Sequence, residues 1–195
     1  MARDFVSITG CAVAASSTIL TLAGCVAAVA ARDLRPGDRV ITRDHGAQTL
    51  RDIEFFAAPQ GSTAIAIPAG AIGNNTRTIV APSQRILLRN VQAELYFGES
   101  EVLVNAEDLV GFRSIETTEA PSFGFVRLEF DTPEIIYADG LEIESSALTS
   151  FEWAGDPLMS RLGLTVSGMP LPPRPVLEAH EAQLLVGSET FQAAA

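Results

Sequence analysis

The sequence predicts a mostly β fold, a compact body of short strands and hairpins with a short helical appendage at the C-terminus. Three observations lead there. Short β-branched runs such as RVIT at Arg39 to Thr42 and AIAI at Ala64 to Ile67 recur between glycine, proline and asparagine turn signals. The stretch RDLRPGDRVITRD, Arg32 to Asp44, packs a tight turn, a strand and a second polar turn into very few residues. A helical pattern appears late, where Val176, Ala179, Gln183 and Val186 share one face.

The PGD turn has a physical basis. Pro36 fixes φ near the value needed at the first central position, Gly37 takes the positive φ that follows, and Asp38 hydrogen-bonds back to the turn's amides. Upstream, residues 1–15 read as a loose apolar arm ahead of a buried first strand. The alanine-rich CVAAVAARD, Cys25 to Asp33, makes a longer turn or a short helical pass. Gln48 to Phe56 and Ala64 to Pro68 are strands, the second ended by a proline that cannot donate to the ladder. Arg85 to Leu88 is a short buried strand or one helical turn. Leu95 to Val104 reads as a hairpin and Ile115 to Ser122 as a solvated loop. Phe123 to Phe130 is a strand, with Glu134 to Tyr137 its antiparallel partner and Asp139-Gly140 the next turn. The organisation is therefore an arm at 1–15, a β domain at 16–148, an appendage at 149–187 with a proline-rich linker and an amphipathic helix, and a disordered tail at 188–195.

Charge narrows the function classes. The net charge is −11, and all thirteen basic residues are arginines without a cluster, which disfavours nucleic acid as a partner. The absence of lysine removes Schiff-base and Ser-Lys chemistry. Two cysteines, Cys11 and Cys25, are too few for a disulfide framework. His45 and His180 have no companions at ligand spacing, so neither a metal nor another cofactor is expected.

Several stretches in order carry a resemblance. LRPGDRVITRDHGAQ, with STILTLAG before it and IVAPSQRILLR after it, is similar to the Hint (Hedgehog/intein) domain, in its bacterial Hint-2 type subfamily. AIAIPAGAIG, ELYFGESEVLVNAEDLV and FDTPEIIYADGLEIES extend the match across most of residues 16 to 148. The resemblance implies a Hint-like β fold and self-processing chemistry. In that chemistry a Cys or Ser attacks the preceding carbonyl, a Thr or Ser orients the amide, and a His protonates the departing nitrogen.

This chain departs from that pattern at each position. Counting back from Thr18 places Val13 where the family has its nucleophile, with Cys11 two residues early. Laying VAPSQR over the second motif puts Ala81 at the hydroxyl position and Gln84 at the histidine, and Pro133 replaces a further histidine many relatives carry. The resemblance thus implies a degenerate site in a domain that has lost autocatalysis and acts as a structural or interaction module with a protein partner. One alternative is autoprocessing of the arm by Cys11 through a thioester. Another is an exported lipoprotein anchored at Cys25, since Leu22-Ala23-Gly24-Cys25 fits the box at which bacterial lipoproteins are cleaved. Membrane association is expected only in that case. A cytoplasmic protein, or one secreted without a cleaved signal, fits better, because cleavage would remove a structural strand.

Overall fold

The computed structural model describes residues 10–59, 61–89, 91–148 and 172–189. They form fifteen strands, mostly antiparallel, in two sheets, with two short helices, one of them at the C-terminus. The smaller sheet contains β1 (Val13–Ala14), β6 (Asp52–Phe56), β7 (Thr63–Ile67), β8 (Thr78–Val80), β11 (Glu116–Glu119), β12 (Phe125–Phe130) and β15 (Ser146–Ala147). Its strand order is β11-β7-β8-β1-β12-β15, with β6 also on β12. The larger sheet contains β2 (Thr18–Ala23), β3 (Cys25–Ala30), β4 (Arg39–Thr42), β5 (Gly46–Thr49), β9 (Arg85–Arg89), β10 (Glu101–Asn105), β13 (Ile135–Ala138) and β14 (Leu141–Glu144). Its order is β10-β9-β14-β13-β2-β4-β5, with β3 on β2. The helices are α1 (Val91–Phe97) and α2 (Ala179–Glu189).

One hydrophobic cluster joins the sheets. Val13, Val126 and Phe130 enter it from the smaller sheet and Ile19, Val40, Ile136 and Ile143 from the larger, none more than 2% exposed. The period of two explains which residues go inward. In β4, Val40 and Thr42 are buried while Arg39 is exposed. In β12, Val126 joins Phe125, Leu128 and Phe130 in the interior.

The turn chemistry follows the residues. Asp38 N donates to the Arg35 carbonyl at 3.0 Å, and Gly37 sits at φ +97°, a type II turn with proline and glycine at its central positions. Asp38 Oδ2 accepts from Arg35 N at 2.8 Å, closing the turn from the other side. A Cβ on Gly37 would meet nothing within 4 Å, so only the backbone conformation penalises a side chain there. Gly37→Val is expected to destabilise the domain by about 1–3 kcal/mol, measured by chemical denaturation, and a neutral result would mean that the turn adopts another type in solution. Between β13 and β14, Asp139 and Gly140 hold φ +54° and +84°, a two-residue hairpin of type I′ character.

Five local expectations change. The alanine-rich insert is β3, paired with β2 over six residue pairs, followed by a single 3-10 turn at Ala31–Asp33. Backbone hydrogen bonds from β2 outweigh the helix propensity of so short a segment. The expected hairpin at Leu95 to Val104 is instead α1 followed by β10; Ala93 and Phe97, one turn apart, pack inward. Glu116–Glu119 is a strand on β7 rather than a loop, since one side of a sheet edge tolerates charge. Residues Ile135–Ala138 do not pair with β12; the chain crosses to the other sheet there and pairs with β14, β2 and β4. The arm is shorter than 15 residues, because Ala12 to Ala15 are buried and Val13 lies between β8 and β12.

The appendage is anchored through its backbone. Leu103 N donates to the Pro175 carbonyl at 2.8 Å and Leu177 N to the Leu103 carbonyl at 2.9 Å, so Val176 covers the outer edge of β10. This use of Val176 and Leu177 as an extended segment is why the helix begins at Ala179 rather than at 176. The helix runs through Ser188 and Glu189, the first two residues of the expected disordered tail, while the rest of the linker, 149–171, and residues 190–195 lie outside the described residues.

Candidate functional site

The two ends of the domain sequence meet at one cavity of about 420 Å³, lined among others by Gly10, Cys11, Ser83, Arg85, Pro133 and Glu144. Local structure accounts for each placement. Cys11 lies two residues ahead of β1, Ser83 lies in the turn between β8 and β9, Arg85 opens β9, and Glu144 closes β14. The pairing of Ile143 with Ile86 brings the ends of β14 and β9 side by side, which puts Glu144 next to Arg85.

The incoming chain is held at several points. Ala81 N donates to the Ala12 carbonyl at 2.9 Å. Gly10 N donates to Ser83 Oγ at 3.0 Å, and Ser83 Oγ donates to the Gly10 carbonyl at 3.1 Å. The Gly10 carbonyl is the group that a thiol at residue 11 would attack. Gly10 itself has φ +97°, so the backbone conformation selects glycine, while a Cβ there would lie 3.0 Å from the flexible tip of Arg127.

The half-buried Cys11 thiol donates to Glu144 Oε2 over 3.6 Å. Burial raises its pKa to about 11, with the Glu144 charge adding to the rise and Arg85 opposing it. Glu144 is 3% exposed, and its Oε2 also accepts from Arg85 Nη1 at 2.8 Å. Its other carboxylate oxygen, Oε1, is buried without a hydrogen-bond partner among the described residues. Glu129, on the same cavity wall, also has its pKa raised, first by burial and then by the charge of Asp52.

The residues singled out from sequence divide clearly. Cys11 and Pro133 line the cavity. Gln84 is 1% exposed and shares a very small adjoining cavity of about 10 Å³ with Cys11 and Glu144. Its Nε2 donates to the Arg85 and Glu144 carbonyls, both at 2.8 Å, so its donor capacity is spent on the backbone. Val13 is 2% exposed inside β1, opposite Val126 and Val80, with its backbone committed on both sides. Val13 therefore lies in the sheet, and Cys11 reaches the cavity despite its offset in the count. Ala81 is fully buried beside the incoming chain. Pro36, Gly37 and Asp38 form their turn ahead of β4, in the larger sheet. Cys25 is exposed at the start of β3.

Sequence reasoning missed Ser83, Arg85 and Glu144. Ser83 and Arg85 stand inside the quoted VAPSQR motif, one residue on either side of Gln84, and their polar character was the available signal. Nothing local marks Glu144, whose role exists only through the β14–β9 pairing. His45 Nδ1 lies 2.8 Å from Glu134 Oε2, which raises the imidazole pKa. Among the described residues no group of His, Cys, Asp and Glu could hold a metal ion. Among them, too, no helix is long and apolar enough to cross a membrane.

The thiols should differ in reactivity. Alkylation requires an accessible thiolate, and burial holds the Cys11 pKa at about 11 whereas Cys25 stands exposed at the start of β3. Iodoacetamide at pH 7 is expected to label Cys25 at least tenfold faster than Cys11, read by peptide mapping, with the Cys11 rate rising about tenfold per pH unit toward pH 11. Equal rates would contradict the enclosure of Cys11.

No curated protein matches the chain. A Hint domain family model matches residues 11–150, from the cavity cysteine to just past β15. With two β sheets, a cysteine ahead of the first strand and most of its length within that match, the chain belongs to the Hint domain family.

Proposed function

We propose that the chain keeps the Hint scaffold but has lost autocatalysis, and acts as a structural or interaction module toward a protein partner. The observation that carries this reading is Gln84. The residue at the histidine position donates both hydrogen bonds to backbone carbonyls and has no proton to cycle near neutral pH. The raised pKa of Cys11 works in the same direction, since it depletes the attacking thiolate. Anchoring at Cys25 is disfavoured because cleavage before that residue would remove β1 and β2, and Ile19 of β2 is wholly buried. The net charge of −11 disfavours nucleic acid. The test is the intact mass of the purified chain after incubation with dithiothreitol or hydroxylamine.

A second reading, slow cleavage of the Gly10–Cys11 bond, has one specific observation in its favour. Ser83 grips both the amide and the carbonyl of Gly10, which would polarise that carbonyl toward the neighbouring thiol. Release of the residues through Gly10, abolished by Cys11→Ala, would establish this reading in place of the first.

A further inference from the structure

Among the described residues, the strand edges are protected, with one exception. β11, at the end of the smaller sheet, carries Glu116 and Glu119, and β6 carries Asp52 and Glu54. β10 is covered by Val176, and β15 is only two residues long. β5 has Arg39 Nη2 bonded to the Ala47 carbonyl. These are the usual devices that stop sheets from joining edge to edge. Among the described residues, β3 has none of them.

Cys25–Ala30 pairs with β2 alone, and no other backbone hydrogen bond reaches it among the described residues. The one side-chain bond to its backbone, from Thr21 Oγ1 to the Ala27 carbonyl, comes from β2 itself. Its sequence, CVAAVA, has no charge and no proline, and the chain is uncharged from Phe5 through Ala31. Val26 is 60% exposed, and Cys25 and Ala28 are exposed beside it.

We propose that β3 pairs antiparallel with the β3 of a second copy of this chain, joining the two larger sheets into one across a twofold axis. The choice of partner rests on charge and shape. Each copy carries a net charge of −11, which opposes association in general, and the uncharged β3 edge is where that repulsion is least. A twofold axis through Ala27 sets Val26 against the second copy's Ala28 and Cys25 against its Val29, whereas an axis through Ala28 sets Ala27 against Val29. Either register opposes only Ala, Val and Cys side chains. A foreign strand would be read through side-chain pockets, and a ladder of alanines and valines supplies no such discrimination. The self-pairing is isologous and closes at two, so it need not propagate into a fibre. Because a six-residue edge buries less than a standard interface, the dimer is weak, with Kd on the order of 10–100 µM.

The site around Cys11 plays no part in this pairing, so the two claims fail separately. The test is sedimentation velocity of the full chain at about 5 to 500 µM, with far-UV circular dichroism as the fold control. The native chain should pass from monomer to dimer across that range. Ala28→Glu should raise Kd at least tenfold with an unchanged spectrum, and Ala28→Val should leave the dimer in place. Leu95→Glu, on the exposed face of α1, should also leave it in place. A native chain that stays monomeric throughout overturns the proposal. So does a dimer that survives both Ala28→Glu and Val26→Glu, or one lost in Leu95→Glu, since the interface would then lie elsewhere. A monomer that instead binds lipid vesicles through Val26 also overturns it.

Discussion

Purified protein held for days at neutral pH with dithiothreitol or hydroxylamine is expected to keep its full mass, and Cys11→Ala is expected to behave identically. The reaction at issue would transfer the Gly10 acyl group from the Cys11 nitrogen to its sulfur, giving a thioester and a free amine that those reagents would trap. It needs a thiolate, and burial together with the Glu144 charge holds the thiol pKa at about 11, leaving on the order of 10⁻⁴ ionised at pH 7. It also needs an acid at the departing nitrogen. The motif aligns Gln84 with the family's histidine, and its donors are fixed on the Arg85 and Glu144 carbonyls. Loss of a positioned acid alone costs about 10² to 10⁴ in rate, and the combined deficit is no smaller than its worst member. Thiol-dependent release of a fragment ending at Gly10 would overturn the expectation. The decisive companion is Ala81→Thr with Gln84→His, which retains the native Cys11. Release from that variant alone would locate the loss in those two positions and leave the scaffold intact. Placing a new cysteine at Val13 would not help, because that side chain is enclosed in β1.

The β class was legible because it rests on local chemistry that tertiary structure rarely overrides. Pro36-Gly37-Asp38 makes the turn its dihedrals demand, and the RVIT strand follows with alternate residues inward. Strand pairing was far less legible. Phe123 to Phe130 and Glu134 to Tyr137 look like a hairpin in sequence, yet belong to different sheets, because burial of Ile135 and Ile136 decides the partner rather than proximity along the chain. α1 was missed for a related reason. VQAELYF has good helix formers but only Ala93 fully buried, so its periodicity is faint. At the site, counting along a motif aligns Ala81 and Gln84 with the family's second motif and Val13 with its nucleophile position. Cys11 rather than Val13 lines the cavity, since spacing measures chain length and the cavity is defined by where β1 enters the sheet. Glu144 could not be read at all, because it is 59 residues from Arg85 in the chain and meets it only through the register of β14 on β9.

That pair should dominate the stability of the site. Arg85→Ala is expected to destabilise the protein by about 3 kcal/mol and to lower the melting temperature by roughly 6–12 °C, measured by calorimetry. The size follows from burial. Glu144 is 3% exposed and already holds one carboxylate oxygen without a partner, so removing Arg85 leaves a buried charge supported only by the weak Cys11 thiol bond. The Arg51–Asp131 pair, 46% and 67% exposed, has good geometry yet should contribute far less than the Arg85–Glu144 pair, because water solvates both partners when it breaks. Loss of arginine packing could mimic the effect, and the second variant separates the two. Glu144→Gln placed in the Arg85→Ala background removes the orphaned charge while keeping the side chain's shape, and should recover at least half of the lost stability. If it recovers nothing, the deficit comes from the missing arginine stem rather than from the stranded carboxylate, and the electrostatic account of how β9, β14 and the entering chain are fastened around Cys11 is wrong.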